Sequence, residues 1–288
     1  MKKVIISSIL VIVLSGTSIA QGIYIRAGAG YGLPVATTLI GENYLHTVVY
    51  GGNTVTDDYS SEVVSASYGA GANFNFAVGF KFNENLILDF NVQYLAGRKF
   101  ETSSIYTVED IGFSGRAEET NTTNSSTLFI NPSIIFSAGF GRRAPYGRFG
   151  IIAASPIITE DNYFYYDIDG INETDISWKY GGGLAIGFQT AIGMNWKIND
   201  RLDIYTETSF VSMTYYAKEA NMTEYLSNGM DIMDQLSVWD KQIVYKKKID
   251  PARQYDPDKP QIRLVEATPF SYISAQAGIR FTVWKISE

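Results

Sequence analysis

Three sets of side chains in this 288-residue chain have types and spacings that could do chemistry. The first is a group of charges set in alternating apolar segments: Arg26, Lys81, Asp89, Arg148, Asp203, Glu207 and Arg280, joined by Gln189 and Gln276. Such groups can line a path for an ion or a polar solute, or they can neutralise one another. Charge tolerates burial only when it is paired. The expectation is therefore an internal network of ion pairs and hydrogen bonds, with Glu207 and Arg280 on adjacent strands. The second set, Asp167, Asp169 and Asn172 around Gly170, has the alternate-position carboxylates and glycine turn that suit a hard cation such as calcium. It lacks the distal bidentate glutamate, so neither a metal nor a cofactor is expected. The third is His46, the single histidine. Hydrolytic chemistry would need it beside a nucleophile or a second base. Leu45 and Thr47 flank it without a diagnostic motif, so a solvated loop histidine is expected and catalysis is not.

The segments that must carry these residues alternate with period two. Ala72, Phe74, Phe76, Val78, Phe80 and Phe82 share one face, and Asn73, Asn75, Gly79 and Lys81 the other. After Asn83-Glu84-Asn85, Leu86, Leu88, Phe90, Val92, Tyr94 and Ala96 alternate with Asp89, Asn91 and Gln93. An oily face of this length matches the roughly 9–11 residues of a tilted strand crossing a bilayer. Eight such strands are expected: Ile23–Tyr31, Ala72–Phe82, Leu86–Ala96, Thr127–Phe140, Tyr146–Ser155, Trp178–Trp196, Leu202–Thr214 and Phe270–Trp284. Their spacers alternate between short and long. This predicts an eight-stranded antiparallel up-and-down transmembrane β-barrel with short periplasmic turns and long extracellular loops. A soluble β-sandwich would require neither the loop alternation nor such long one-sided apolar strands. Tyr44–Tyr50 and Asn53–Thr56 could add a hairpin projecting beyond the bilayer. Ile232, Met233, Leu236 and Trp239 predict a short amphipathic helix over Met230–Lys241 that caps the barrel, followed by a basic run to Lys248.

The first 20 residues read as a cleaved signal peptide. Lys2 and Lys3 precede the apolar run Val4–Leu14, and Ser18-Ile19-Ala20 supplies small residues for cleavage. Residues 21–288 then form one domain. There is no cysteine, so no disulfide or thiol chemistry is available. The net charge of −7 argues against nucleic acid as a partner. The 20 tyrosines and 16 phenylalanines suit strands and membrane interfaces. Two aromatic girdles are expected: Tyr24, Trp196 and Trp284, with Phe82, Phe140 and Tyr146, at the periplasmic ends, and Tyr31, Tyr94, Trp178 and Tyr180 at the outer ends.

The last strand carries one more mark. Gln276, Gly278, Phe281 and Val283 fall at the positions of the C-terminal assembly signal of outer-membrane proteins, although Lys285-Ile286-Ser287-Glu288 follows Trp284 instead of an aromatic end. With the leader and the strand plan, the chain resembles the small eight-stranded outer-membrane barrels of the OmpA/OmpX type. The resemblance spans the whole mature chain. It implies a bacterial outer-membrane location, and as partners the membrane lipid, lipopolysaccharide and the barrel-assembly machinery, with an extracellular protein or host surface a further candidate. The function expected is non-enzymatic, in envelope integrity, adhesion or partner binding through the loops, with the lumen plugged by side chains. A narrow porin-like channel or transporter is the alternative, and a lipid-modifying enzyme on the rim the third reading.

Overall fold

The computed structural model describes residues 21–35, 37–51, 54–110, 113–138, 142–167, 170–249 and 255–285. The expected signal peptide, Phe140 and Asp169 lie outside them. In chain order the strands are β1 (Gly22–Pro34), β2 (Thr38–Gly51), β3 (Thr54–Ala66), β4 (Gly71–Lys81), β5 (Leu86–Gly97), β6 (Phe100–Asp110), β7 (Phe113–Ser137), β8 (Arg143–Asp167) and β9 (Ile171–Gly181). They continue with β10 (Ala185–Lys197), β11 (Leu202–Tyr215), β12 (Glu219–Ser227), β13 (Met230–Asp231), β14 (Gln242–Lys246), β15 (Gln261–Leu264), β16 (Thr268–Pro269) and β17 (Tyr272–Lys285).

The chain is all-β, and the expected count of eight is corrected: among the described residues seventeen strands join in one sheet. The purely antiparallel plan is corrected too, because β2–β6 and β14–β15 pair in parallel. Segments with enough polar residues to read as loops are strands here. Their backbone groups are satisfied by neighbouring strands, and a sheet wetted on both faces needs no oily side.

Eight of the strands nevertheless form a closed circuit of antiparallel pairings: β1–β4–β5–β7–β8–β10–β11–β17 and back to β1. A closed circuit leaves no free edge. At one end lie both outermost residues of the circuit, Gly22 and Lys285, which pair with each other. Two short turns at the same end are built alike. The Asn83 side-chain oxygen accepts from the amides of Asn85 (2.8 Å) and Leu86 (2.7 Å), and Asn199 does the same for Arg201 (2.9 Å) and Leu202 (2.8 Å). This side-chain mimic of a turn is what asparagine does best.

At the far end the strands run on. β7 and β8 are 25 residues each, and their outer halves carry an open extension in the order β3–β2–β6–β7–β8–β9–β12–β14–β15. β2 leaves β1 still heading away from the turns, as β6 leaves β5, so the two pair in parallel. The segment expected as one strand, Trp178–Trp196, is two. β9 ends at Gly181, Gly182 turns with φ +77°, and β10 starts at Ala185. The expected helix is also corrected. Met230–Asp231 is a strand, Met233–Gln235 a single 3-10 turn, and only Val238–Lys241 is α-helical. Ser237 caps that turn through Asp240, and neither helical piece buries a residue, so this element does not cap the circuit with an apolar face.

Candidate functional site: the polar layer inside the strand circuit

Burial along the circuit strands is inside out. Ile25, Phe74, Phe76, Val92, Ile130, Phe149, Ile151, Ile186, Ile192, Ile279 and Val283 are exposed, whereas Arg26, Asn75, Asp89, Asn91, Arg148, Gln189, Glu207 and Gln276 are buried. The period-two alternation explains it, because closing the circuit turns one face of every strand inward.

Within, three layers follow one another. Nearest the turns, Tyr24, Ile87, Ile135 and Tyr146 pack together. Toward the far end, Leu95, Phe129, Ile152, Met213, Tyr215, Phe270 and Tyr272 form a larger apolar cluster. The charges lie between. Arg26 reaches Asp89 at 3.3 Å and Glu207 at 3.4 Å. Arg148 pairs with Glu207 through two nitrogens, Nε at 3.1 Å. Glu207 also accepts from the Tyr146 hydroxyl at 2.9 Å and from the Gln276 amide. Tyr24 donates to Asp89 at 2.7 Å. Asn75 gives its amide to Gln276 at 2.8 Å and accepts from Tyr205 at 2.9 Å. The Arg26 guanidinium lies 5.0 Å from the Tyr205 ring centre. Two carboxylates thus meet two guanidiniums, and the layer is neutral.

A second pair, Arg280 with Asp203, is made at 2.8 Å through Nε on the neighbouring strands β17 and β11. Arg280 pairs with Asp203, and the partners of Glu207 lie elsewhere. Lys81 sits at the rim with its ammonium 5.7 Å from the Tyr24 ring. Asn131 bonds to Gln189, while both amide atoms of Asn73 and of Asn91 find no hydrogen-bond partner among the described residues.

The expected girdles need correction at four positions. Tyr24 is 1% exposed and Tyr146 6%, so both face inward. Each shares strand parity with a buried arginine, Arg26 and Arg148. Their rings lie over glycines of a neighbouring strand: a Cβ at Gly79 or Gly193 would overlap Tyr24 or Tyr146 respectively. Trp178 and Tyr180 stand on β9 in the extension and not on a circuit strand, and Tyr180 donates to Glu160 at 2.7 Å. Tyr31, Tyr94 and Trp284 are exposed and Trp196 is half-buried, with Trp196 and Trp284 at the turn end. Gln276 faces inward as described, Gly278 lies under Tyr205, and Phe281 and Val283 face out.

His46 is not a loop residue. It lies on β2, half-buried, with Nε2 2.6 Å from Asp57, Nδ1 3.1 Å from the Tyr44 hydroxyl and its ring edge-on to Tyr59 and Tyr106. Pairing of β2 with β3 and with β6 brings these side chains together, which no motif announced. Asp167 and Asn172 close a β8–β9 hairpin, where the Asn172 amide donates to the Gly170 carbonyl at 3.1 Å. Among the described residues no three His, Asp or Glu side chains converge in a way that could hold a metal ion, and no helix is long and apolar enough to cross a membrane. The apolar cluster at the far end was missed from sequence. Its signal was present as Leu95, Phe129, Ile152, Met213 and Tyr272, apolar residues on the otherwise polar parity.

No family model matches the chain, and no curated protein matches it in sequence.

Proposed function

We propose that the protein is a non-enzymatic outer-membrane β-barrel. In this reading the strand circuit spans the bilayer, the interior is filled by side chains, and the β-extension stands on the cell surface as a structural or partner-binding element. One observation carries it: the circuit exposes its large apolar side chains and buries its charges. Water would reverse that arrangement, while hydrocarbon rewards it. The circuit strands are 11 to 14 residues long outside β7 and β8, enough to cross a tilted bilayer span. Both short turns and the circuit's terminal residues share one end, which would be periplasmic. The assembly-signal residues Gln276, Gly278, Phe281 and Val283 lie on β17, the strand that closes the circuit against β1, which suits recognition by the assembly machinery. A neutral ion-pair layer beneath an apolar cluster leaves no charged path and supports a plugged lumen.

Reconstitution tests it. The protein should enter lipid vesicles and, because it has no native cysteine, single cysteines at Phe76 or Ile279 should resist a water-soluble maleimide that labels one at Val63. Planar bilayers should show no defined openings. Stable conductance would replace the plugged barrel with a narrow channel, and labelling at all three positions would remove the membrane altogether.

A further inference from the structure

We propose that Lys246, Lys247 and Lys248, with Arg263, form a binding site for the phosphate groups of anionic lipid headgroups at the rim of the apolar belt, an inference that rests on the membrane-spanning reading above. All four side chains are exposed, and no carboxylate among the described residues pairs with any of the three lysines. The stretches Gln242–Ile249 and Gln261–Leu264 contain no acidic residue, although the chain as a whole carries −7.

Their position is fixed by pairing. β12 continues β11 away from the circuit, and β14 runs back antiparallel to it, so the lysines at its end descend toward the circuit. The Lys246 carbonyl accepts from the Val265 amide at 3.0 Å, and three residues later Thr268 pairs with Tyr215, the last residue of β11. The circuit strands end near this level, where Leu33, Tyr216 and Ile273 are exposed. Cations standing just above an apolar belt meet the phosphate layer of a bilayer, where each gains from the local negative potential. The flexible lysine stems let the ammonium groups reach that layer.

The test uses the full chain in phosphatidylcholine vesicles doped with spin-labelled phosphatidylglycerol. The native protein should retain the anionic label over its zwitterionic analogue, more weakly as salt rises. The K246Q/K247Q/K248Q variant should lose roughly tenfold of that preference, and the single K247Q variant should lose less. Equal preference in native and triple variant, or no preference in the native protein, overturns the site. Displacement of the label by inorganic phosphate alone would make the patch a free-anion site and overturn the lipid assignment. Failure to insert into vesicles at all would instead bring down the membrane-spanning reading, and the site with it.

Discussion

Arg26 on β1 and Asp89 on β5 meet at 3.3 Å across the whole width of β4, and neither strand pairs with the other. Both side chains are almost fully buried. The pair ties non-neighbouring strands through the interior, which backbone pairing cannot do, and Glu207 extends the same link to β11.

Breaking that link by removing one partner should be costly, because the other charge remains buried. Glu207→Ala leaves Arg148 buried without a carboxylate, while Arg26 keeps only Asp89, and should destabilise by about 3–5 kcal/mol. Denaturant titration in detergent micelles would measure it. Replacing Arg148 and Glu207 together by Met and Leu should cost clearly less than E207A, and equal costs would mean the network contributes little.

Gly79 lies under the Tyr24 ring, and a Cβ there would overlap that ring. Gly79→Val should push Tyr24 off Asp89 and cost about 1–3 kcal/mol. Tyr24→Phe, which keeps the ring and removes only the hydroxyl, should cost less, about 1–2 kcal/mol. A G79V variant as stable as the native protein would show that the ring has room to move.

The two classes of exposed apolar residue should respond differently to charge. Phe76→Arg on the circuit should cost about 2–4 kcal/mol in a bilayer. Val63→Arg on β3, also exposed but in the extension, should stay within about 0.5 kcal/mol. Refolding yields into vesicles across a urea series would compare them. Matching values would argue that the circuit does not touch lipid.

Alkaline pH should loosen the extension before the circuit. Burial, and then the Glu160 carboxylate that accepts its proton, hold the Tyr180 phenol well above its ordinary value. The folded state therefore favours protonated Tyr180. Its contribution is fully present below about pH 10, the unfolded value, and fades as pH rises above that toward the folded value. Protease nicking of β9 or β12 should increase above about pH 10 in the native protein, and Tyr180→Phe should abolish Tyr180's share of that increase. An unchanged profile in Y180F would assign the effect elsewhere.

Much of this was legible from residue order. The two asparagine turns, the strands from Ile23 to Tyr31 and from Leu86 to Ala96, and the inward set of Arg26, Asp89, Arg148 and Glu207 can all be read as alternation and turn chemistry. Of the extension only the β2–β3 hairpin was legible, over Tyr44–Tyr50 and Asn53–Thr56, and β3 runs on well past Thr56 to Ala66. β3 carries Asp57, Asp58 and Glu62 with both faces wet, so no alternation separates it from a loop. Tyr24 and Tyr146 misled because an aromatic at a strand end suggests an interface, yet parity places each beside a buried arginine.

Residue order by itself settled which face of each strand is oily and where the chain must turn, because both depend on neighbours one or two positions away. Only the tertiary arrangement decided which charge neutralises which, that Tyr24 covers Gly79, that Phe129 and Tyr272 meet near the far end, and that His46 finds Asp57 across the β2–β3 hairpin. Those contacts depend on register and on the angle through which successive strands rotate around the circuit, quantities that no local stretch of sequence encodes.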